Sequence, residues 1–284
     1  RHPRQILLKP RTASVHSTAV FIQMGDKLAM KPEALREVHK TTFLPLNYIK
    51  NTENYVLYRF QQEELHHIFN SDLIQGSTLV DIGSGPTINF VLSATKKFQD
   101  IVVSDLVESN RLEVEKWLRK SEDSVDWSFR AEQVADLEGH RDTKKGAYEI
   151  MERARRAISK VVPCDVLEPG VLPEEHRKTF DVVLSCNCLE AATADPESFG
   201  RVLANMGSLV KPGGFLVMVG TGGITWYEVG KEPLPMMVLT IEIVKKAVTD
   251  AGFEIKRFRT GEYDGPILQD RGKRFGWALV ARKP

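Results

Sequence analysis

The sequence predicts an α/β fold in which helices cover both faces of a doubly wound parallel sheet. The first reason is that apolar runs of strand length alternate along the chain with segments whose apolar residues recur at helical spacing. The second is that the apolar run 78–82 leads directly into a turn that contains Gly83 and Gly85. The third is size, because 284 residues with 42% hydrophobic side chains can bury one large core.

The N-terminal segment differs in composition from the rest of the chain. Its first 25 residues contain four basic residues and no acidic residue. This is typical of a transit peptide, but a flexible or loosely docked basic extension is the simpler explanation. We expect residues 1–40 to form this extension, with a short helix over 32–40 that has a proline near its start, and residues 41–284 to form the folded domain.

The elements of the domain follow from periodicity and from the positions of Gly and Pro. Apolar residues at helical spacing predict helices over 55–69, 87–98, 109–119, 144–160, 198–209 and 241–251. Apolar runs predict strands at 78–82, 101–105, 161–162, 180–185, 215–219, 253–258 and 275–281. Residues 260–272 include three glycines and a proline, so we expect a loop or hairpin there.

The glycine turn after the first strand indicates which cofactor the domain binds. A dinucleotide-binding turn has a third glycine where this chain has Ile88, and a P-loop ends in Lys-Ser/Thr, which is absent here. The next predicted strand ends in Asp105, 22 residues after Gly83, where a carboxylate can accept hydrogen bonds from both ribose hydroxyls. This combination favours S-adenosylmethionine (SAM) over NAD, and the later Pro212-Gly213-Gly214 turn before an apolar strand favours a methyltransferase.

Composition excludes several other classes. The formal net charge is +1, so no general nucleic-acid-binding surface is indicated, and no apolar run is long enough to span a bilayer. The three cysteines have no Cys-x-x-Cys spacing, which indicates reduced thiols rather than disulfides or a metal site. We expect a cytoplasmic monomer whose partner is a small molecule, with no metal, membrane or nucleic acid bound.

Several motifs resemble the small-molecule N-methyltransferases that include the nicotinamide, phenylethanolamine and indolethylamine enzymes. The resemblance extends from Phe43 to Lys283 and is carried by Phe43-x-Pro45-x-x-Tyr48, Asp81 to Thr87, Asn110 to Leu118, Asp126-Trp127-Ser128, Cys188 to Ala191, Gly207-Ser208-Leu209, Lys211 to Gly214, Trp226-Tyr227 and Val280 to Lys283. It implies a seven-stranded Rossmann-like sheet with an antiparallel C-terminal hairpin, a helical lid at 41–70, and SAM as cofactor with S-adenosylhomocysteine as product.

The predicted cofactor site draws on both the residues and this resemblance. Glycines at 83 and 85 let the backbone approach the methionine part of SAM, and Asp105 faces the ribose. An acid and a valine at 165 and 166 are placed to bind the adenine amino group and to pack on its ring. The full predicted set is Tyr48, Tyr55, Gly83, Ser84, Gly85, Thr87, Asp105, Asn110, Asp165, Val166 and Cys186. Tyr48 comes from the resemblance, and Tyr55 matches a second family tyrosine only across a two-residue insertion.

The predicted substrate site rests on the chemistry of amines. Methyl transfer from SAM needs alignment rather than a protein nucleophile, but an alkylamine is protonated at neutral pH and needs an acidic partner. Glu190, at the end of the strand 180–185, fits this role, and relatives that methylate phenylethanolamines carry a glutamate there. Tyr48 and Glu190 are the predicted catalytic residues, and Tyr48, Glu190, Ile224 and Tyr227 the predicted substrate-binding residues.

Substrate identity stays open between three alternatives. Acids found in relatives are replaced by Gly220 and Ile224, so we expect a more apolar site lined by residues Gly220, Gly222, Gly223, Ile224, Met236 and Met237. An arylalkylamine-like substrate is the first choice, and nicotinamide is the alternative. A non-catalytic SAM-binding protein is a further alternative, because the expected substrate acids are missing.

Overall fold

The computed structural model describes residues 30–52, 56–262 and 274–284. Within these ranges the backbone of Val56 and Glu262 is described without their side chains. Tyr55 and all but the first residues of the predicted loop 260–272 therefore lie outside the described residues, as does most of the predicted N-terminal extension.

The core of the domain is one seven-stranded sheet. In the described residues the strands are β1 (Thr78–Ile82), β2 (Asp100–Asp105), β3 (Ile158–Pro163), β4 (Phe180–Cys186), β5 (Val210–Gly222), β6 (Trp226–Val229), β7 (Glu232–Pro235), β8 (Glu254–Glu262) and β9 (Phe275–Arg282). The sheet order is β3-β2-β1-β4-β5-β9-β8, while β6 and β7 form a separate antiparallel hairpin. The first five strands of this order are parallel, and β9 runs antiparallel to both β5 and β8. The predicted doubly wound sheet with its C-terminal hairpin is confirmed.

Helices lie on both faces of the sheet and at its carboxyl edge. Those in the described residues are α1 (Pro32–Thr42), α2 (Pro45–Thr52), α3 (Val56–Phe69), α4 (Glu108–Leu118), α5 (Ser128–Leu137), α6 (Thr143–Ala157), α7 (Leu189–Ala192), α8 (Pro196–Gly207) and α9 (Ile241–Asp250). Several begin at side-chain caps, including Asp195 before α8, which forms a reciprocal capping box with Ser198. Short 3₁₀ turns occupy Leu92–Lys96 and Glu174–His176.

Strand alternation divides the core into two layers. In β1, Leu79 packs into the layer that also holds residues of α3, α5 and α6, whereas Val80 and Ile82 pack into the layer with α8 and α9. Successive side chains of a strand point to opposite faces, so one short strand supplies both layers. The strand order reverses between β1 and β4, which places the topological switch point, and a ligand crevice, at the carboxyl ends of these strands.

One predicted helix is wrong. The helix expected over 87–98 is replaced by turns and by the 3₁₀ segment Leu92–Lys96. Residues 86–95 are all buried rather than buried along one face. Because this segment is buried on every side, its apolar residues need not lie on one helical face, and their spacing does not indicate a helix.

A second correction concerns the helix predicted over 144–160. α6 ends at Ala157, and Ile158 begins β3, which pairs with β2 from Ile101 onward. The prediction placed a strand at 161–162 only, so the apolar side chain of Ile158 was assigned to the wrong element. Helix and strand meet here without an intervening loop, and no Gly or Pro marks the change.

The helices α5 and α7 and the β6–β7 hairpin were not predicted. α5 begins after Trp127, whose side chain forms no cap, while the preceding Asp126 accepts a hydrogen bond from the Ser128 amide (2.9 Å). The β6–β7 hairpin contains prolines at 233 and 235, which argue against a strand in the middle of a sheet. They are accommodated because β7 pairs with β6 alone.

The predicted lid over 41–70 divides into two different parts. α2 packs against β6 and lies over the carboxyl edge of the sheet, as does α1, which packs against α7. α3 instead belongs to the core, where Leu65, Ile68 and Phe69 are buried. α1 spans 32–42 and therefore crosses the boundary expected at residue 40.

Candidate active site

The glycine turn is held by backbone hydrogen bonds to the neighbouring strand. The amides of Gly83 and Ser84 both donate to the carbonyl of Ser104, each over 2.9 Å. Gly83 and Gly85 have φ values of +73° and +63°, a region that L side chains rarely adopt. A Cβ on Gly83 would lie 2.1 Å from the Sγ atom of Cys188, whereas one on Gly85 would face the Tyr48 ring at 3.9 Å. The backbone at Gly85 is thus open towards Tyr48, as a close-approaching ligand requires.

Asp105, at the end of β2, connects this turn to α4. One of its carboxylate oxygens accepts a hydrogen bond from the Gly85 amide (2.7 Å). The other accepts from the Val107 amide (2.8 Å) and from Nδ2 of Asn110 (3.0 Å). Burial raises the pKa of Asp105, and these three donors oppose the shift. Oδ1 of Asn110 is buried and has no hydrogen-bond partner among the described residues, so an acceptor stands free beside the carboxylate.

Asp81, in β1, is a second buried carboxyl in this region. Burial, with a smaller effect from the nearby Asp105, raises its pKa to about 8. Its Oδ1 atom also has no partner among the described residues.

Asp165 lies on the opposite side of the site. Its Oδ1 accepts from the Leu167 amide (3.0 Å), and its Oδ2 accepts from Nη1 of Arg36 on α1 (3.1 Å). The same Arg36 nitrogen also contacts Glu168 at 3.0 Å. Val166 is buried directly after Asp165. α1 is thereby tied to the loop that was predicted to bind adenine.

One cavity of about 360 Å³ is lined by the glycine turn, by Asp105 and by Asp165, but not by Asp81. Its volume is in the range of small-molecule sites. Of the predicted cofactor residues, the cavity is lined by Tyr48, Gly83, Ser84, Gly85, Asp105, Asn110, Asp165, Val166 and Cys186. Thr87 does not line it; its hydroxyl donates to the carbonyl of Ser84 and so supports the turn. The groups along the cavity fit SAM: an open glycine backbone at Gly85, the carboxyl of Asp105 with the unpartnered amide oxygen of Asn110 beside it, and a second acid, Asp165, at the opposite side.

The other end of the cavity is aromatic. Tyr48 makes a tilted contact with Phe43 at 5.1 Å and an edge contact with Tyr227 at 6.3 Å between ring centroids. His39 stacks on Tyr227, with ring centroids 6.3 Å apart. The Tyr48 hydroxyl lies 2.5 Å from the Tyr58 hydroxyl. Ile224, Trp226 and Met236 complete this end.

Glu190 lies behind the cavity surface. It is 1% exposed and is not among the residues that line the cavity. Its Oε1 atom accepts a hydrogen bond from the Thr221 amide (3.1 Å), and Thr221 does line the cavity. Burial raises the pKa of Glu190 to about 7. The predicted direct contact with an amine therefore requires the side chain to turn, and it stays a prediction.

Of the six residues expected to line a more apolar substrate site, Ile224 and Met236 line the cavity, whereas the glycines do not. Neither Gly220, Gly222 nor Gly223 lines the cavity, and of the two methionines only Met236 does. A Cβ on Gly220 would lie 2.3 Å from the Trp277 ring and 2.9 Å from Oε1 of Glu190. A Cβ on Gly222 would lie 2.2 Å from the Phe275 ring. Aromatic side chains of β9 thus fill the space that these glycines leave.

Several residues of the cavity were not predicted from the sequence: Arg36, His39, Phe43, Tyr58, Phe90, Asn187, Cys188 and Trp226. Arg36 and His39 lie one helical turn apart on α1, a segment assigned to the extension, so their helical spacing was the one available signal. Asn187, with φ +53°, follows β4 and forms a reciprocal amide pair with the buried Gln61. That pairing joins positions 126 residues apart and has no local signature.

The described residues contain no group of three or more His, Cys, Asp or Glu side chains arranged to hold a metal. In the same part of the chain, no helix has both the length and the apolar character needed to cross a membrane.

The fold and the site together define the class as a SAM-dependent methyltransferase. Among solved structures, magnesium protoporphyrin IX methyltransferase from Synechocystis PCC 6803, crystallised with bound SAM, shares the fold with a TM-score of 0.55. The alignment covers 89% of this chain and 97% of that one at 12% sequence identity, so it supports the fold alone.

The sequence model of the NNMT/PNMT/TEMT family matches residues 27–282, and the chain belongs to this family. It is 40% identical over 223 residues to nicotinamide N-methyltransferase from Homo sapiens, covering 78% of this chain and 82% of the relative. It is 35% identical over 256 residues to indolethylamine N-methyltransferase from Oryctolagus cuniculus, covering 85% and 93%. The predicted family, enzyme class and cofactor are confirmed, and the match begins upstream of the predicted limit at Phe43, so that it includes α1.

Proposed function

We propose that this protein transfers the methyl group of SAM to the nitrogen of a small aromatic amine of the arylalkylamine type. The observation that carries the proposal is the continuous cavity, which has cofactor-type groups at one end and aromatic side chains at the other. An aromatic acceptor can pack against Tyr48 and Tyr227, which meet edge to face at 6.3 Å. The membership of the NNMT/PNMT/TEMT family supports the same reaction class.

SAM supplies a methyl group that its sulfonium already activates. The residues of the chain therefore mainly bind and align the two reactants, which can contribute roughly 7–11 kcal/mol of the barrier reduction. Gly83 and Gly85 admit the methionine part, Asp105 and Asn110 hold the ribose, and Asp165 with Val166 holds the adenine. Tyr48 lies between the glycine turn and the aromatic end, since its ring is 3.9 Å from the Cβ position of Gly85.

In this proposal the carboxylate charge of Glu190 helps to retain the cationic amine. No cationic partner for its carboxyl is found among the described residues, and burial raises its pKa to about 7. A cation in the adjoining cavity stabilises the ionised form of such a carboxyl. We propose that a bound ammonium favours ionised Glu190, which in turn retains the amine, either across Thr221 or after rotation of the side chain.

Nicotinamide is the second candidate. The human relative at 40% identity is named for nicotinamide. Glu190, the acid predicted to bind an ammonium, lies behind the cavity surface, which suits a neutral pyridine nitrogen. A pyridine nitrogen also needs no proton removed, whereas an alkylamine with a pKa near that of lysine requires about 4–5 kcal/mol to be neutral at pH 7.

The deciding experiment is S-adenosylhomocysteine release with SAM and a panel of phenylethylamines, tryptamine, nicotinamide and thioethers. A preference for an arylalkylamine is the expected result. A preference for nicotinamide would select the second candidate. SAM binding by calorimetry without turnover of any acceptor would contradict both and favour a non-catalytic SAM-binding protein.

The proposal also covers the cellular location, the oligomeric state and the binding partners of the protein. We propose a cytoplasmic monomer that binds small molecules and not nucleic acid, with residues 1–40 as an extension of the methyltransferase domain. Free thiols at Cys164, Cys186 and Cys188 support a reducing compartment.

A further inference from the structure

His39 occupies an unexpected place in the cavity. It lies on α1, half-buried between Phe43 and Tyr227, and it lines the same cavity as the glycine turn. Its Nδ1 atom is 2.7 Å from the carbonyl of Leu35, and its Nε2 atom is 2.9 Å from the hydroxyl of Tyr227. These contacts connect a helix near the N-terminus to β6, 188 residues away.

The partners determine the tautomer of His39. A carbonyl oxygen can only accept, so Nδ1 carries the proton and donates to Leu35. In the neutral ring Nε2 then bears a lone pair, and the Tyr227 hydroxyl donates its proton to it. This arrangement leaves the lone pairs of the Tyr227 oxygen directed away from His39.

The surroundings of His39 favour its neutral form. Burial lowers its pKa, against the opposing effects of the Leu35 carbonyl and of Asp105. The titratable and charged residues that line the cavity with His39 include Arg36 of α1, Tyr48 of α2, Asp105 of β2, and Tyr227 and Glu228 of β6, while Glu190 of α7 lies behind the cavity surface. Asp165 and Glu168 are both paired with Arg36, so neither acid presents a free carboxylate to His39.

We propose that the Tyr227 hydroxyl oxygen accepts a hydrogen bond from an N–H of the reacting amine, and that His39 is the positioning residue that fixes this hydroxyl. The proposal rests on the function proposed above and adds a basis for acceptor selection. A primary or secondary amine has an N–H on the reacting nitrogen, and a pyridine nitrogen has none.

The contact should strengthen during the reaction. The amine reacts as the neutral base, after the bound ammonium has lost one proton to solvent. As its lone pair forms the new N–C bond, the S–C bond of SAM breaks with its electron pair remaining on sulfur. Positive charge then develops on the nitrogen, and its N–H becomes a better donor to the Tyr227 oxygen. An acceptor already oriented towards developing charge stabilises the transition state without reorganisation. The hydrogen bond from Tyr227 to His39 makes the phenol oxygen a stronger acceptor.

The test compares 2-phenylethylamine with nicotinamide in a double-mutant cycle of His39→Phe and Tyr227→Phe. Each single variant should lower kcat/KM for the amine by about 10- to 100-fold, the range for a hydrogen bond to a charged group. Each should change kcat/KM for nicotinamide, and the KM for SAM, by less than about threefold. The double variant should resemble Tyr227→Phe alone, because His39 acts through Tyr227.

Two further variants separate positioning from packing. His39→Gln places an amide oxygen that can accept from the Tyr227 hydroxyl, so it should restore much of the amine activity that His39→Phe loses. His67→Phe, an exposed histidine of α3, is the matched control and should behave like the wild type.

Equal losses with both acceptors, additive effects in the double variant, or no rescue by His39→Gln would each overturn the assignment to Tyr227 and His39. These outcomes would leave the proposed methyl transfer intact, because the wild-type protein would still turn over the amine. Failure of the wild-type protein with every nitrogen acceptor would instead overturn the proposed function together with this inference.

Discussion

The two ends of the cavity are built from different kinds of structure. At the cofactor end, backbone amides of Gly83 and Ser84 bond to the neighbouring strand, and Asp105 bonds to the turn and to α4. At the acceptor end, aromatic side chains from α1, α2 and β6 contact one another. The first end is part of the central sheet, whereas the second is attached to it.

This difference indicates which end of the cavity can change between members of the family. A change at the sheet end disturbs the strands that form the core, so cofactor binding and folding are coupled there. A change at the aromatic end alters contacts between peripheral elements. The relatives are named for different acceptors but share the family, and this division offers a physical reason. The following predictions test it from the largest expected effect to the smallest.

Asp105→Ala should weaken SAM binding and destabilise the fold at the cofactor end of the cavity. It removes the partner of three donors, two of which are backbone amides, and hydrogen bonds to charged groups contribute about 1.5–3 kcal/mol each. We expect SAM affinity to fall at least about 100-fold by calorimetry and the free energy of unfolding in urea to fall by about 2 kcal/mol. Asp100→Ala, at the exposed start of the same strand, is the control. Unchanged SAM affinity would remove Asp105 from the ribose site.

Glu190→Gln should change stability in a pH-dependent way. The pKa of Glu190 is about 7 in the folded protein and about 4.3 when unfolded. Between these values the native state keeps a proton that the unfolded state has lost, so wild-type stability falls as pH rises, by about 4 kcal/mol in total. The variant does not titrate, and its Oε1 can still accept from Thr221. It should therefore match the wild type near pH 4.5 and exceed its unfolding free energy by up to about 4 kcal/mol at pH 8.

The matched control for this effect is Glu149→Gln, an exposed position on α6, which should show no such pH dependence. Identical urea midpoints for wild type and Glu190→Gln at pH 8 would contradict the raised pKa. In turnover, the same variant should lose far more activity with alkylamines than with nicotinamide. Equal losses with both acceptors would argue against a role for Glu190 in retaining the cation.

Arg36→Gln should have the smallest effect, because it acts where α1 meets the cofactor loop. Its pairs with Asp165 and Glu168 are partly exposed, and such pairs contribute up to about 1 kcal/mol. We expect the KM for SAM to rise about two- to fivefold at low salt, and this difference to shrink at high salt as the charges are screened. Arg59→Gln removes an exposed pair on α3 and should leave the KM for SAM unchanged; a similar rise there would refute a specific role of Arg36.

The sequence alone was a good guide to the cofactor end and a partial one to the acceptor end. Gly83, Gly85 and Asp105 follow directly after strands, so their place at the carboxyl edge of the sheet depends only on the strand pattern. Tyr48 and Tyr227 were named from the family resemblance, and both line the cavity. His39 was missed because its segment was assigned to the extension, and the helix 87–98 was wrong because a fully enclosed segment does not follow apolar periodicity.

What the sequence by itself determined is the sheet, its glycine turn and the groups that follow each strand, since these depend on local backbone conformation and on residues adjacent in the chain. Only the tertiary structure decided which side chains reach the cavity. Glu190 lies behind Thr221, Trp277 fills the space beside Gly220, and His39 meets Tyr227 across 188 residues. Such contacts arise from packing between elements distant in the chain, and packing leaves no periodic pattern in the sequence.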